Sequence, residues 1–333
     1  MLLNPAIIAL LLISWLSSGF AIYAALVGDK IIQSWDLTSG SARQLALERK
    51  TYLIAHIFSY LMAVELFSLF LFIYTADNLH PLFVGAMCAA GSLNVNTYGY
   101  PALLTKLLSA LLCGIWLILN YLDNQAQDYP LIRPKYKFLM VIAGVLLIET
   151  YLQTNYFLRL RADVITSCCG TLFSADTPSL AGMLAGLRPF PTQIAFFLAM
   201  IVTLRTGIHF LVTGRAAALF GKLSGGMLVL AIVAIISFIS LYYYQLPTHH
   251  CPFCLLQKGY HFIGYPLYAT LLTAGISGIS VGVIQRFNGV KSLDGIRTRL
   301  QRRLCWIALG GYLLFTAIAT YPVLFSNFIL TGY

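Results

Sequence analysis

Long unbroken runs of apolar residues, separated by short polar stretches, recur from one end of the chain to the other. Eight of them lie at about 5–28, 51–75, 101–122, 136–157, 190–213, 223–246, 260–283 and 304–328. Each exceeds the roughly 20 residues that carry an α-helix across a bilayer. The runs are continuous rather than alternating, which excludes a β-barrel. The pattern predicts an all-α, polytopic membrane protein: about eight transmembrane helices forming a single membrane-embedded domain over 1–333. The longest connections, 76–100 and 158–189, are rich in Gly, Pro, Ser, Thr and Asn. Long irregular segments of this kind commonly carry function. A shorter connection, 247–259, holds the densest cluster of Cys and His.

Composition agrees with the pattern. Hydrophobic residues make up 59% of the 333 and charged ones 10%, too few to cover a soluble surface. A net charge of +10 raises the question of nucleic acid, and the positions of the charges answer it. The odd-numbered loops, 29–50, 123–137, 214–222 and 284–303, hold fifteen of the twenty-one Lys and Arg. The even-numbered loops hold Arg159, Arg161, Arg188 and Lys258, and the terminal tails hold none. The positive-inside rule then places the odd loops in the cytoplasm and both termini outside. Lipid, not nucleic acid, is the expected partner. No Lys or Arg precedes the first run, so it reads as a span rather than a cleaved leader. Within loop 284–303, the stretch "QRFNGVKSLDGIRTRLQRR" reads as a short basic amphipathic helix on the anionic inner leaflet.

Seven cysteines divide into two groups. Cys113 and Cys305 fall within or at the edge of spans, where small buried hydrophobes are expected. Cys88, Cys168, Cys169, Cys251 and Cys254 all map to outside loops, the side of a membrane on which disulfides persist. Cys251-Pro252-Phe253-Cys254 has the spacing for two sulfurs to meet at the first turn of a helix, with Pro252 suited to an early helical position. There a thiolate would feel the helix's positive end, with His249, His250 and Lys258 adding to the effect. A redox dithiol, a metal site using the same sulfurs with imidazoles, and a static disulfide all fit this stretch. The vicinal pair Cys168-Cys169 admits a strained, easily reduced bridge, separate bridges to Cys88 or the Cys-x-x-Cys thiols, or chelation of a soft, copper-like ion. "MCAAGSLNVN" (87–96) and "SCCGTLFSAD" (167–176) share a Cys followed by Gly-Ser/Thr-Leu, a faint echo that two similar Gly turns would also produce.

"CPFCLLQK" resembles the Cys-x-x-Cys-x-x-Gln/Glu-Arg signature of the bacterial disulfide-bond formation protein B (DsbB) family, and more loosely the Cys-x-x-Cys of vitamin K epoxide reductases. The resemblance covers roughly 60 residues of the sixth to eighth spans. It implies that Cys251 and Cys254 are a redox pair beside a bound quinone, with Lys258 in the place of the family's arginine. It further implies that a second pair, for which Cys168 and Cys169 are available, exchanges with an exported thioredoxin-like partner.

Histidines and buried charges complete the candidates. His56 and His209 lie one to one and a half turns from the cytoplasmic ends of the second and fifth spans. Equal depth on two helices is what axial ligation of a haem b needs, and histidines hydrogen-bonded within the bundle or at its interface are the favoured reading. His80 and His261 fall near the outer surface, where they can line a quinone or metal site with His249 and His250. Cys88 is a further candidate metal ligand. Glu65 and Glu149 sit mid-span, with Lys106 and Arg205 as candidate partners in either a proton route or an internal hydrogen bond. Two functional classes follow. One is a membrane thiol–disulfide oxidoreductase, in a bacterial inner membrane, passing electrons from a thioredoxin-like or cytochrome partner to a quinone or haem. The other is a metal- or haem-handling subunit working with other membrane subunits.

Overall fold

A computed structural model describes residues 2–36, 39–166, 173, 180–328 and 330. The chain is helical, and no strand occurs among the described residues. The elements are α1 (Pro5–Ser34), α2 (Ala42–Leu79), α3 (Ala89–Leu93), α4 (Gly99–Asp123), α5 (Ile132–Leu158), α6 (Leu180–Ala185), α7 (Pro189–Thr213), α8 (Ala217–Ala234), α9 (Ser240–Tyr244), α10 (Gly264–Gln285) and α11 (Asp294–Phe325). A π turn, Ile235–Ile239, joins α8 to α9, so these three form one rod. Eight helices among the described residues are long and apolar enough to cross a membrane, as the apolar runs require.

Two boundaries differ from the sequence expectation. α2 starts at Ala42, well before the apolar run, because "ARQLALERK" is built of strong helix formers that extend the helix past its apolar part. The basic segment of loop 284–303 is not a separate surface helix. Arg297, Arg299, Arg302 and Arg303 occupy the first turns of α11, which continues without a break into the last span.

The chain divides into two compact units. The first comprises Met1–Thr75, Asn96–Leu160 and Asn288–Leu300. Here α5 packs against α1 and α4 around a core that includes Phe58, Met62, Trp116, Tyr136 and Leu139. Phe58 meets Trp116 edge to face, their ring centroids 4.9 Å apart. Asn4 caps α1 by accepting a bond from the Ala6 amide at 2.9 Å, with Pro5 pre-set in the first turn.

Charges in this unit are sequestered in pairs. Lys106 of α4 lies 2.9 Å from Glu65 Oε1 on α2 and 2.7 Å from Glu149 Oε1 on α5, all three at most 1% exposed. Ser68 donates to Glu65 and Ser109 to Glu149. The internal-bond reading of these carboxylates therefore has its partner in Lys106, whereas Arg205 is an exposed residue of α7. Lys135 of α5 pairs with Asp123 and also donates to Asn120, at 3.1 Å.

The second unit comprises Ala76–Val95, Arg161–Phe287 and Gln301–Tyr333. α8 packs along α10 and against α7. Between hydrocarbon-embedded helices burial of apolar area drives little, so close backbone approach has to supply the contact. Gly221 serves that purpose: a Cβ there would stand 2.5 Å from the Gly282 Cα. Cys113, in the first unit, and Cys305, in the second, are buried free thiols, and Cys305 donates to the Gly207 carbonyl at 3.5 Å.

Removing the Lys106 ammonium leaves two buried carboxyls without a counter-charge. Lys106→Met is expected to lower the unfolding free energy by about 3–5 kcal/mol. The triple variant Lys106→Met/Glu65→Gln/Glu149→Gln should recover most of that loss. Thermal unfolding of the detergent-purified chain checks both, and wild-type stability in Lys106→Met alone would refute the arrangement.

Candidate functional site

Within the second unit, two loops distant in sequence bring three sulfurs together. Cys88 Sγ lies 3.6 Å from Cys251 Sγ, and the sulfurs of Cys88, Cys251 and Cys254 all fall within 4.8 Å of one another. Cys88 and Cys251 are fully enclosed and Cys254 is 6% exposed. His249 joins them, its Nε2 3.4 Å from Cys254 Sγ.

The local fold explains the convergence. The rod ends at Tyr244, and Gln245 turns the chain away in the left-handed region at φ 53°. The Tyr244 hydroxyl donates to the Cys251 carbonyl, and Tyr268 of α10 donates to the Pro252 carbonyl at 2.6 Å. These bonds fix the Cys-x-x-Cys backbone from two sides. Cys88 is the extended residue immediately before α3, at φ −160°. Its loop is tight: Gly85 takes φ +88°, and a Cβ there would meet the Thr166 carbonyl oxygen at 2.3 Å. Thr166 in turn donates its amide to Val84 and its hydroxyl to Gly91.

One side chain links the two loops. Asp77 Oδ1, at the end of α2, accepts the Ala89 amide at 3.0 Å and the Gln257 side-chain amide at 3.3 Å. Gln257 also donates to the Met87 carbonyl at 2.8 Å. The loop before Cys88's helix and the segment after Cys254 are thus held to a common carboxyl.

The Cys-x-x-Cys does not open a long helix, which corrects the sequence expectation. Cys254–Leu256 and Lys258–Tyr260 are single 3₁₀ turns, His261 and Phe262 adopt φ 53° and 56°, and α10 begins only at Gly264. Without a run of aligned peptide units there is no macrodipole to lower a thiol's pKa. Local chemistry takes its place. Burial pushes the His249 imidazole below its ordinary range, with Cys88 opposing the shift, so near neutral pH the ring is uncharged and able to accept a proton.

The other expected residues are placed as follows. His250 is buried, and its Nδ1 donates to the Ile236 carbonyl in the π turn at 2.9 Å, which leaves Nε2 as the unprotonated nitrogen of the neutral ring. Burial pulls its pKa down as well, with the Ile236 bond opposing. His80 lies three residues beyond Asp77 and bonds the Asp77 carbonyl. Lys258 and His261 are exposed on the turns that follow Cys254. His56, in the first unit, is exposed and its Nδ1 donates to Tyr52 O at 2.9 Å; His209, in the second, is exposed on α7. Cys168 and Cys169, with nearly all of the 167–176 echo, lie outside the described residues. Phe173 is described, and its ring lies 6.3 Å from that of Phe253.

Asp77, Gln257, Tyr244 and Tyr268 escaped sequence reasoning. Gln257 stood inside the quoted motif, and Asp77 is an acid at the very end of an apolar run. The two tyrosines carried no signal beyond their abundance. Comparisons with family models, curated proteins and solved structures find no match to this chain.

The geometry makes a direct prediction. In a variant keeping only Cys88 and Cys251 of the seven cysteines, mild oxidation should form an intrachain disulfide, read by mass mapping. Adding Asp77→Ala removes two hydrogen bonds, about 1–3 kcal/mol of local stability, and should slow that bridge. No bridge in the parent variant would show that the loops do not meet.

Proposed function

We propose that this chain is a membrane thiol–disulfide oxidoreductase whose working centre is Cys88, Cys251 and Cys254 with His249. The observation that carries the reading is the 3.6 Å approach of Cys88 to Cys251 beside the 3.4 Å approach of His249 to Cys254. Cys251 can exchange partners between Cys254 and Cys88. When the Cys88 thiolate attacks a Cys251–Cys254 bridge at Cys251, the Cys88–Cys251 bond forms and Cys254 leaves as a thiolate. In the reverse direction the neighbouring neutral imidazole is positioned to take the proton of the Cys254 thiol as it attacks. Low exposure of the three sulfurs favours a relay over direct attack by a soluble protein.

Cys168 and Cys169 are the proposed relay pair. Support comes from the residues on either side of them: Thr166 is bonded to the Cys88 loop, and Phe173 lies against Phe253 between the two motif cysteines. Each dithiol oxidised releases two electrons and two protons; a bound quinone would take up both pairs as quinol, whereas a haem would take the electrons one at a time and leave the protons to solvent. Exposed Lys258 and His261 offer donors for quinone oxygens beside Cys254, and exposed Phe262 an apolar face. The proposed setting is a bacterial-type inner membrane, with these loops on the exocytoplasmic side and a thioredoxin-like or cytochrome donor there. The asymmetry of basic residues supports that orientation.

A second reading is favoured by the donor set itself. Three sulfurs within 4.8 Å of one another, with the His249 nitrogen 3.4 Å from one of them, suit Zn(II) or a soft ion such as Cu(I), in a metal- or haem-handling subunit of a larger complex. His56 and His209 would be the haem candidates in that case.

With a reduced dithiol protein as donor and a soluble quinone as acceptor, Cys251→Ser should abolish turnover. Cys254→Ser should trap Cys251 in a disulfide with Cys88, Cys168, Cys169 or a partner. Full turnover in every single Cys→Ser variant would end the redox reading. Stoichiometric metal or a Soret band in the purified chain, lost in His249→Ala or Cys88→Ser and without thiol turnover in the wild type, would establish the second.

A further inference from the structure

The first unit holds a cavity of about 590 Å³, bounded by the residue after α1, the first turns of α2 and the α4–α5 connection. Its size is that of a small-molecule site. Its lining is rich in hydrogen-bond donors. Lys135 lines it while fully buried at 1% exposure, and two of its three protons go to Asn120 and Asp123. Arg49 lies at its rim, exposed, and among the described residues has no carboxylate within 4.0 Å. Glu48, the acid of the lining, accepts a bond from Gln44 at 2.9 Å.

A second observation points to a ligand. Thr51 also lines the cavity and is 6% exposed, yet its hydroxyl, buried at the atom level, makes no hydrogen bond among the described residues. A helical threonine ordinarily satisfies its hydroxyl on the carbonyl four residues back, as Thr75, Thr203 and Thr206 do here. Of the buried polar atoms without a partner among the described residues, the Thr51 hydroxyl is the one that lines this cavity, and such a group calls for a partner.

The wall of the cavity shows what kind of molecule brings that partner. Tyr52 and His56 line it from α2 and are exposed; His56 commits Nδ1 to its own helix, which leaves Nε2 for another contact. Along the same stretch of α2, Leu53, Ile57 and Tyr60 are 51%, 45% and 73% exposed. A chamber that combines hydrogen-bond donors with the rings of Trp35, Tyr52 and Tyr129 therefore adjoins the apolar surface of a membrane-spanning helix. That juxtaposition suits an amphiphile with an acceptor-rich, anionic head and hydrocarbon tails. We propose that the cavity binds the phosphate head of an anionic phospholipid, with Arg49 neutralising it and the third Lys135 proton and the Thr51 hydroxyl donating to it. Basic pockets between membrane helices hold such heads by the same charge-assisted bonds.

Native mass spectrometry of the full chain, titrated with phosphatidylglycerol, tests the proposal, with phosphatidylcholine and soluble glycerol phosphate as comparisons. The wild type should retain phosphatidylglycerol selectively. Arg49→Gln should weaken binding about tenfold, the worth of one charge-assisted bond. Thr51→Val, nearly isosteric, should weaken it severalfold while leaving lipid-free thermal stability equal to the wild type or higher. Lys222→Gln, which removes a cation of the second unit, should change nothing. Wild-type affinity in either Arg49→Gln or Thr51→Val would overturn the proposal. So would equal binding of phosphatidylcholine, equal binding of glycerol phosphate alone, or an equal loss in Lys222→Gln.

Discussion

The sulfur centre depends on one carboxyl oxygen. Asp77 Oδ1 receives the amide after Cys88 and the side chain three residues after Cys254, so the loops of two sulfurs 163 apart in sequence share this anchor, which the Gln257 bond to the Met87 carbonyl reinforces. Neither loop has regular structure of its own to hold it: α3 is five residues long and the 3₁₀ turns are three each. Short irregular segments keep their shape only through side-chain bonds to neighbours. Here Asp77 and Gln257 link the loops, while Tyr244 and Tyr268 secure the motif from its other side. The site is accordingly built from residues at helix ends, where the chain leaves its apolar runs and polar groups can be satisfied.

The first unit obeys the same constraint in a different way. An ion enclosed among hydrocarbon-like surroundings is costly unless a partner of opposite sign is in contact with it. Lys106 meets this by touching acids on two other helices, and Lys135 by facing an aspartate on α4. The Lys106 cluster links residues 41 and 43 apart in sequence, so it defines which helices can be neighbours, whereas Lys135 and Asp123, 12 apart, tie the consecutive helices α5 and α4. Thr51 differs from these charges: its buried hydroxyl has no partner among the described residues, and it is the one such group that lines the cavity of this unit.

Much of the architecture was legible because hydrocarbon imposes a simple code: about twenty apolar residues, one helix. The eight runs all became helices, and Glu65, Glu149 and Lys106 were recognisable as an expensive set in need of one another. Helix ends were less legible. "ARQLALERK" continues α2 because helix propensity does not stop where hydrophobicity does, and the basic residues before the last span do the same for α11. The Cys-x-x-Cys was misread as a helix start because its spacing fits one. The left-handed backbone at His261 and Phe262 shows no trace in composition, since neither is a glycine. The approach of Cys88 to Cys251 was beyond reach, because nothing local to either loop encodes it. The acid that brings them together resembled any other residue at the edge of a span.

The π turn at Ile235–Ile239 carries a consequence for orientation. A turn of this kind holds one residue more than the α-helical winding needs. Each residue advances an α-helix by 1.5 Å and, at 3.6 per turn, by about 100°. Excising that extra residue would swing everything beyond it by more than a quarter of a circle, and the Tyr244 hydroxyl would no longer aim at the Cys251 carbonyl. The widened turn also presents the Ile236 carbonyl that His250 grips. A single surplus residue, deep in an otherwise plain apolar helix, thus sets the azimuth of the whole cysteine-bearing segment.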